Sequence, residues 1–297
     1  MGKSFKEIAK QFIPPIFLSV TNCFHKKGKN EIINTLPKND VVGDRLIVIG
    51  NGPSLNTSFD KYEKVLCVTD CLMVNESAMS PLYVAIKPSI YMLIDPKFYM
   101  DKGYESYRKT LESLAKALVE KTTWKMTLVM PHSSAHSYIV EQLKQNTNIS
   151  ELFFHNGLVK PKDMSMFDAW DKNLVCPPAQ TVLNAAVWLS IYWGYKETYL
   201  IGADTSWHAQ LQMDQETNEL YTEDTHFFDN GAVYGKLYDT KKNRRPIKTR
   251  LHEELLAEAT ALKSYWDLRE YADWKRVKIY NASECSWIDA FERKKLG

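Results

Sequence analysis

The residues best suited to chemistry in this 297-residue chain gather where short apolar runs stop. Leu46-Ile47-Val48-Ile49 runs straight into Gly50-Asn51-Gly52-Pro53-Ser54-Leu55. That is the pattern of a buried strand turning on glycines into a helix, a turn able to cradle a phosphate. It is neither a GxGxxG nor a GxxxxGKS/T loop, because Pro53 interrupts the first and no lysine completes the second. Other apolar runs end in Thr69-Asp70, in Asp95-Pro96 and in Gly202-Ala203-Asp204-Thr205. One such end would be an ordinary helix cap, the simplest account of Ser54 or Asp204 taken alone. Four polar ends on one sheet edge predict a binding site.

Metal chemistry has little to work with. His132 and His136 stand four apart, suited to one helix face, but no acid or third histidine follows at ligand spacing. No Asp-x-Asp occurs, which removes the usual carboxylate clamp for a divalent ion on a nucleotide diphosphate. Gly-x-Ser-x-Gly is absent too. Residues 205–249 hold His208, His226, six aromatic residues mixed with acids, and the run Lys241-Lys242-Asn243-Arg244-Arg245. With no sustained apolar period and too much length for a connection, this stretch predicts a lid. Most of its charges, taken alone, suit a solvated loop. A nucleotide-sized crevice, no metal and a histidine-bearing lid fit group transfer from a donor with a single phosphate.

Those residues need a scaffold. Candidate strands at 45–50, 64–69, 90–95, 126–130, 151–155, 197–202 and 277–281 alternate with helical patterns at about 104–122, 133–146, 180–193 and 250–273. The alternation predicts an α/β fold: a single Rossmann-like domain over 41–297 with a mostly parallel sheet, helices on both faces and a lid subdomain at about 205–249. Ligands of such sheets bind beyond the carboxyl ends of the strands. A net charge of +2 argues against a dedicated nucleic-acid binder. Five cysteines (Cys23, Cys67, Cys71, Cys176, Cys285) without a CxxC pair are expected to be reduced and mostly buried, as in a cytosolic protein.

Residues 1–40 form a basic segment and linker ahead of the domain. Phe5, Ile8, Phe12 and Ile13 lie at helical spacing among six lysines, broken by Pro14-Pro15. The segment lacks the small-residue cleavage site of a signal peptide. It fits an interfacial anchor on an anionic membrane surface, and equally a helix packed on the domain's own core.

"IGNGPSL" and "GYKETYLIGAD" (194–204) together resemble the bacterial sialyltransferases of glycosyltransferase family 42. In that family a strand–GNGPSL turn opens the fold and a GYKEIYLSGID-type segment follows the central helix. Thr181 precedes Gly194 by the interval at which the family's nucleotide-contacting Thr-Ser pair stands, while "YMLIDP" and "CVTDC" are similar to its "FYNP" and "RCNQ". The likeness spans about residues 45–204. It implies a CMP-activated nonulosonic acid bound without metal or separate cofactor. The sugar would go to a glycan or glycolipid acceptor at the inner face of a bacterial cytoplasmic membrane, in lipopolysaccharide or capsule biosynthesis.

By that resemblance Asn51, Gly52 and Ser54 hold ribose and phosphate, with Asp70 and Thr181 nearby. Gly202, Ala203 and Asp204 line the cytidine pocket, and Tyr221 and Tyr234 stabilise the leaving phosphate. His226 is the general base toward the acceptor hydroxyl, with His208 as the alternate. Asp70 and Asp95 stand where the family has asparagines, and Ala179 stands where it has an arginine. Such acids repel a donor carboxylate unless one is wanted, for instance Asp95 or Asp204 attacking the anomeric carbon in a retaining double displacement. The donor is accordingly CMP-sialic acid or CMP-Kdo. Two rivals remain open: a pterin pyrophosphokinase-like enzyme, which would need magnesium, and a non-catalytic, membrane-peripheral nucleotide-binding module.

Overall fold

The computed structural model describes residues 43–100, 107–156, 160, 162–224, 233–236, 238–239 and 247–297. In chain order the first half comprises β1 (Arg45–Ile49), α1 (Leu55–Leu66), β2 (Asp70–Val74), α2 (Leu82–Ile86), β3 (Ile90–Met92), α3 (Arg108–Lys121), β4 (Met126–Pro131), α4 (Tyr138–Leu143) and β5 (Ile149–Phe154). There follow α5 (Met166–Asp171), α6 (Val182–Trp193), β6 (Glu197–Ile201), β7 (Leu211–Met213), β8 (Leu220–Asp224), β9 (Val233–Lys236), β10 (Tyr238–Asp239), β11 (Ile247–Lys248), α7 (Leu251–Lys275), β12 (Lys278–Asn281) and β13 (Glu292–Arg293). Eight of these strands make one sheet in the order β13-β12-β6-β1-β2-β3-β4-β5, every pairing parallel. This is the doubly wound, Rossmann-like architecture expected. Its strand order reverses between β1 and β6.

The central strand shows why. Leu46 and Val48 face a core shared with α6 and α7, while Ile47 and Ile49 face a second core shared with α1 and α3. A strand buried on both faces reads as an unbroken apolar run. The same logic makes α6 apolar all round: all twelve of its residues are buried beneath α7. Its one strongly polar side chain, Asn184, donates to the Ala261 carbonyl at 3.2 Å. Gly194, at φ +83°, ends the helix in the left-handed conformation that favours glycine.

Some expectations change. α1 buries Leu55, Ser58, Tyr62 and Leu66, a helical spacing that carries the helix to Leu66, into the expected strand at 64–69, with residues 67–69 forming a turn. The true second strand starts at Asp70, so Asp70 lies at an amino end and the carboxyl end is Val74-Asn75. The helix expected over 133–146 shrinks to α4, because Pro131 leads into a 3₁₀ turn at His132–Ser134. The described part of 205–249 is ordered by strand pairing, β7 and β9 flanking β8 antiparallel and β10 pairing β11. Of the four described cysteines, all free, Cys67 and Cys285 are exposed and only Cys71 is fully buried, against the expectation of burial. Among the described residues no helix is long and apolar enough to cross a membrane. Residues 1–40, His226 and the basic run 241–245 lie outside the described residues.

Candidate functional site

At the reversal between β1 and β6 the sheet edge opens into a cavity of about 340 Å³. Its first wall is backbone against backbone. The Gly50 and Gly52 N–H groups donate to the Ile201 and Gly202 carbonyls, each at 2.9 Å. A Cβ on Gly50 would lie 2.4 Å from the Gly202 oxygen, and Gly202 itself has φ +59°. Glycine is required here because two strand ends touch.

Asp204 then locks the turn. Its carboxylate accepts the Ser54 N–H at 3.0 Å and also the Ser54 hydroxyl. Burial raises its pKa despite those two bonds, which pull the other way. The Leu55 N–H donates to the Gly52 carbonyl at 3.0 Å. The amides of residues 52, 54 and 55 are thus used within the protein. What the turn presents is Asn51. Its Nδ2 donates to the Val74 carbonyl at 3.3 Å, which fixes the amide orientation and leaves a buried Oδ1 without a partner.

The facing wall comes from α7, from the end of β2 and from the residues before α6. Asn75 (φ +53°), Gln180 and Glu258 line the cavity, and each has a buried oxygen with no hydrogen-bond partner. The Glu258 side chain is only 8% exposed, and its Oε2 lies 3.4 Å from His208 Nδ1. Burial, reinforced by neighbouring Glu254 and opposed by a bond from the His208 backbone, pushes the Glu258 carboxyl up to about 7. Burial raises Glu254 as well. The His208 ring meets Trp287 edge-on, with centroids 4.4 Å apart. Asp95, Asp204, Glu254 and Glu258 all face the cavity, and no Lys or Arg is among its described lining residues.

Of the residues expected at the site, Asn51, Gly52, Asp95, Thr181, Gly202 and Asp204 line this cavity. Asp95 also caps the short turn after β3, accepting the Lys97 N–H at 3.0 Å. Thr181 caps α6 in a reciprocal box with Asn184. Ser54 sits behind Asp204, and the Ala203 amide turns away to Ser283 Oγ at 3.0 Å. Asp70 is misplaced by the sequence: at the opposite sheet edge it accepts from Ser89 Oγ at 3.1 Å and from Tyr195 OH at 3.2 Å. Tyr221 lies on β8 with its hydroxyl on the Glu219 carboxylate at 3.2 Å, outside the lining. Tyr234 is on β9, opposite Glu223. Asn75, Gln180, Glu254 and Glu258 were missed. The four-residue spacing of the two glutamates on one helix was the available signal.

Comparison with known proteins adds a distant likeness in structure. No protein-family model matches the chain, and no curated protein does. Among solved structures, the MAf glycosyltransferase from Magnetospirillum magneticum AMB-1 aligns over 90% of this chain with 13% identity and a TM-score of 0.49. The chain spans 35% of that protein's length.

Proposed function

We propose that this chain is a glycosyltransferase that moves a keto-acid sugar, sialic acid or Kdo, from its CMP-activated donor to a hydroxyl of a bacterial cell-surface glycan or glycolipid, without metal. The observation that carries the proposal is the meeting of the two family-42-like segments. Gly52 bonds Gly202 and Ser54 bonds Asp204, across 150 residues of sequence, at the mouth of one cavity at the sheet's switch point. The cavity falls within the size range of small-ligand pockets. Unpartnered oxygens of Asn51, Asn75 and Gln180 suit ribose hydroxyls and the cytosine amine. The described lining offers no cation for the donor's phosphate and carboxylate. The proposal therefore requires that role of Lys241, Lys242, Arg244 or Arg245, outside the described residues.

A second reading is magnesium-dependent diphosphate transfer from a nucleoside triphosphate: four carboxylates line the cavity, but among the described residues no three are grouped so as to hold a metal ion. Thermal shift with CMP, UMP, GDP and ATP, each with and without EDTA, separates the two, since a ligand that binds only the native state raises apparent stability. CMP should stabilise most, unaffected by EDTA. A larger shift with ATP, or loss of the CMP shift in EDTA, would overturn the proposal. The N-terminal lysines are proposed to hold the enzyme on anionic lipid, each contributing about 1 kcal/mol near such a surface. Deleting residues 1–30 should abolish vesicle binding and spare CMP binding.

A further inference from the structure

The geometry points to Glu258 as the group that takes the proton from the acceptor hydroxyl, held in place by His208; this rests on the group transfer proposed above. α7 brings Glu258 to the cavity wall with its side chain 8% exposed and Oε1 unpartnered. Buried carboxylate oxygens are normally hydrogen-bonded to protein or to ordered water, and no protein group bonds this one. The other oxygen is occupied: Oε2 faces His208 Nδ1 at 3.4 Å, and the imidazole is braced against Trp287. That contact engages one carboxylate oxygen, and the Glu258 side chain lines the cavity.

Asp204 is committed elsewhere, with both oxygens accepting from Ser54, and Asp95 uses Oδ1 to cap the turn after β3 through the Lys97 amide. Glu254, one turn earlier on α7, is the like charge that makes Glu258 a stronger base. The groups facing Glu258 are thus Glu254 from its own helix, His208 from the turn after β6, and Asp204 from the wall opposite. With its carboxyl raised to about 7, Glu258 is ionised in part at neutral pH and matched to general-base work. In the step, the acceptor oxygen bonds to the anomeric carbon while that carbon's bond to the donor phosphate oxygen breaks. The electron pair leaves on the phosphate as CMP, and the acceptor's proton moves to the Glu258 carboxylate and from there to solvent.

The test compares wild type, Glu258→Gln and His208→Gln with CMP-sialic acid and CMP-Kdo, using the CMP thermal shift as the control for fold and site. Glu258→Gln should keep the CMP shift and lose about 10²–10⁴-fold in kcat, the usual cost of a removed general base. The wild-type kcat should rise with pH through about 7, and that limb should vanish in Glu258→Gln and move in His208→Gln. Near-wild-type turnover in Glu258→Gln, or an unchanged limb, overturns the assignment. If wild type turns over neither CMP-sugar, the donor proposal fails instead. The base is then judged without substrate, by ¹³C-carboxyl NMR of glutamate-labelled protein. A resonance titrating near 7, absent from Glu258→Gln, supports Glu258, and its absence from wild type overturns it.

Discussion

The wall built by β1 and β6 and the wall built by α7 handle their polar groups in opposite ways. On the first, Gly50 and Gly52 bond the β6 end, and Ser54 saturates Asp204. On the second, Asn75, Gln180 and Glu258 keep buried oxygens unpartnered. A self-satisfied wall holds a shape, while an unsatisfied one awaits a ligand's donors or a proton. The turn that looks most like a site in the sequence is thus chiefly the frame, and the unpartnered oxygens gather on the wall across from it. Asn51 crosses that division, since its amide nitrogen bonds the Val74 carbonyl at the end of β2 while its oxygen is left unpartnered in a residue that lines the cavity.

Breaking the frame should have the largest effect. Gly202→Val puts a branched side chain at φ +59°, 2.7 Å from the Gly50 oxygen, and should cost more than about 3 kcal/mol in urea unfolding, from strain and overpacking together. A loss under about 1 kcal/mol would mean that the two strand ends do not touch.

Glu258→Gln should do the reverse, and only at high pH. The Glu258 carboxyl sits at about 7 in the folded protein against 4.5 in the unfolded chain, so the native state holds its proton more tightly. Its contribution is full below 4.5 and is lost as pH rises through 7. By pH 8 the wild type should have given up about 3 kcal/mol, which the neutral glutamine does not lose. Denaturation of both proteins at pH 5 and pH 8 checks this; an equal difference at the two pH values would show that Glu258 is not the buried titrating group.

Asp204→Ala removes the acceptor for two Ser54 donors and should cost about 1–3 kcal/mol, with CMP binding weakened because the turn that carries Asn51 loosens. Unchanged stability would contradict the bracing role.

The sheet was legible because its strands are buried on both faces: Leu46–Ile49 and Tyr199–Ile201 stand out as apolar runs whatever surrounds them. The second strand was not. Val65-Leu66-Cys67-Val68 has strand-like composition, but Leu66 completes the buried stripe of α1 while Val68 is left 83% exposed. That single register error sent Asp70 to the wrong edge and hid Asn75. Glu254 and Glu258 were hidden for another reason. On a long helix rich in charge they look solvated, and only the packing of α7 over α6 turns that face toward the cavity.

The proposed function makes this cavity a cytidine nucleotide site in which Asn51 contacts the ligand. Isothermal titration of CMP in EDTA against wild type and Asn51→Ala tests it most directly. Wild type should bind CMP, and Asn51→Ala should bind it at least about tenfold more weakly, the cost of roughly one ligand hydrogen bond. Stability should change by less than about 1 kcal/mol, because only one bond, to Val74, is lost within the protein. Equal affinity in the two proteins, or no CMP binding to wild type without a divalent metal, would contradict it.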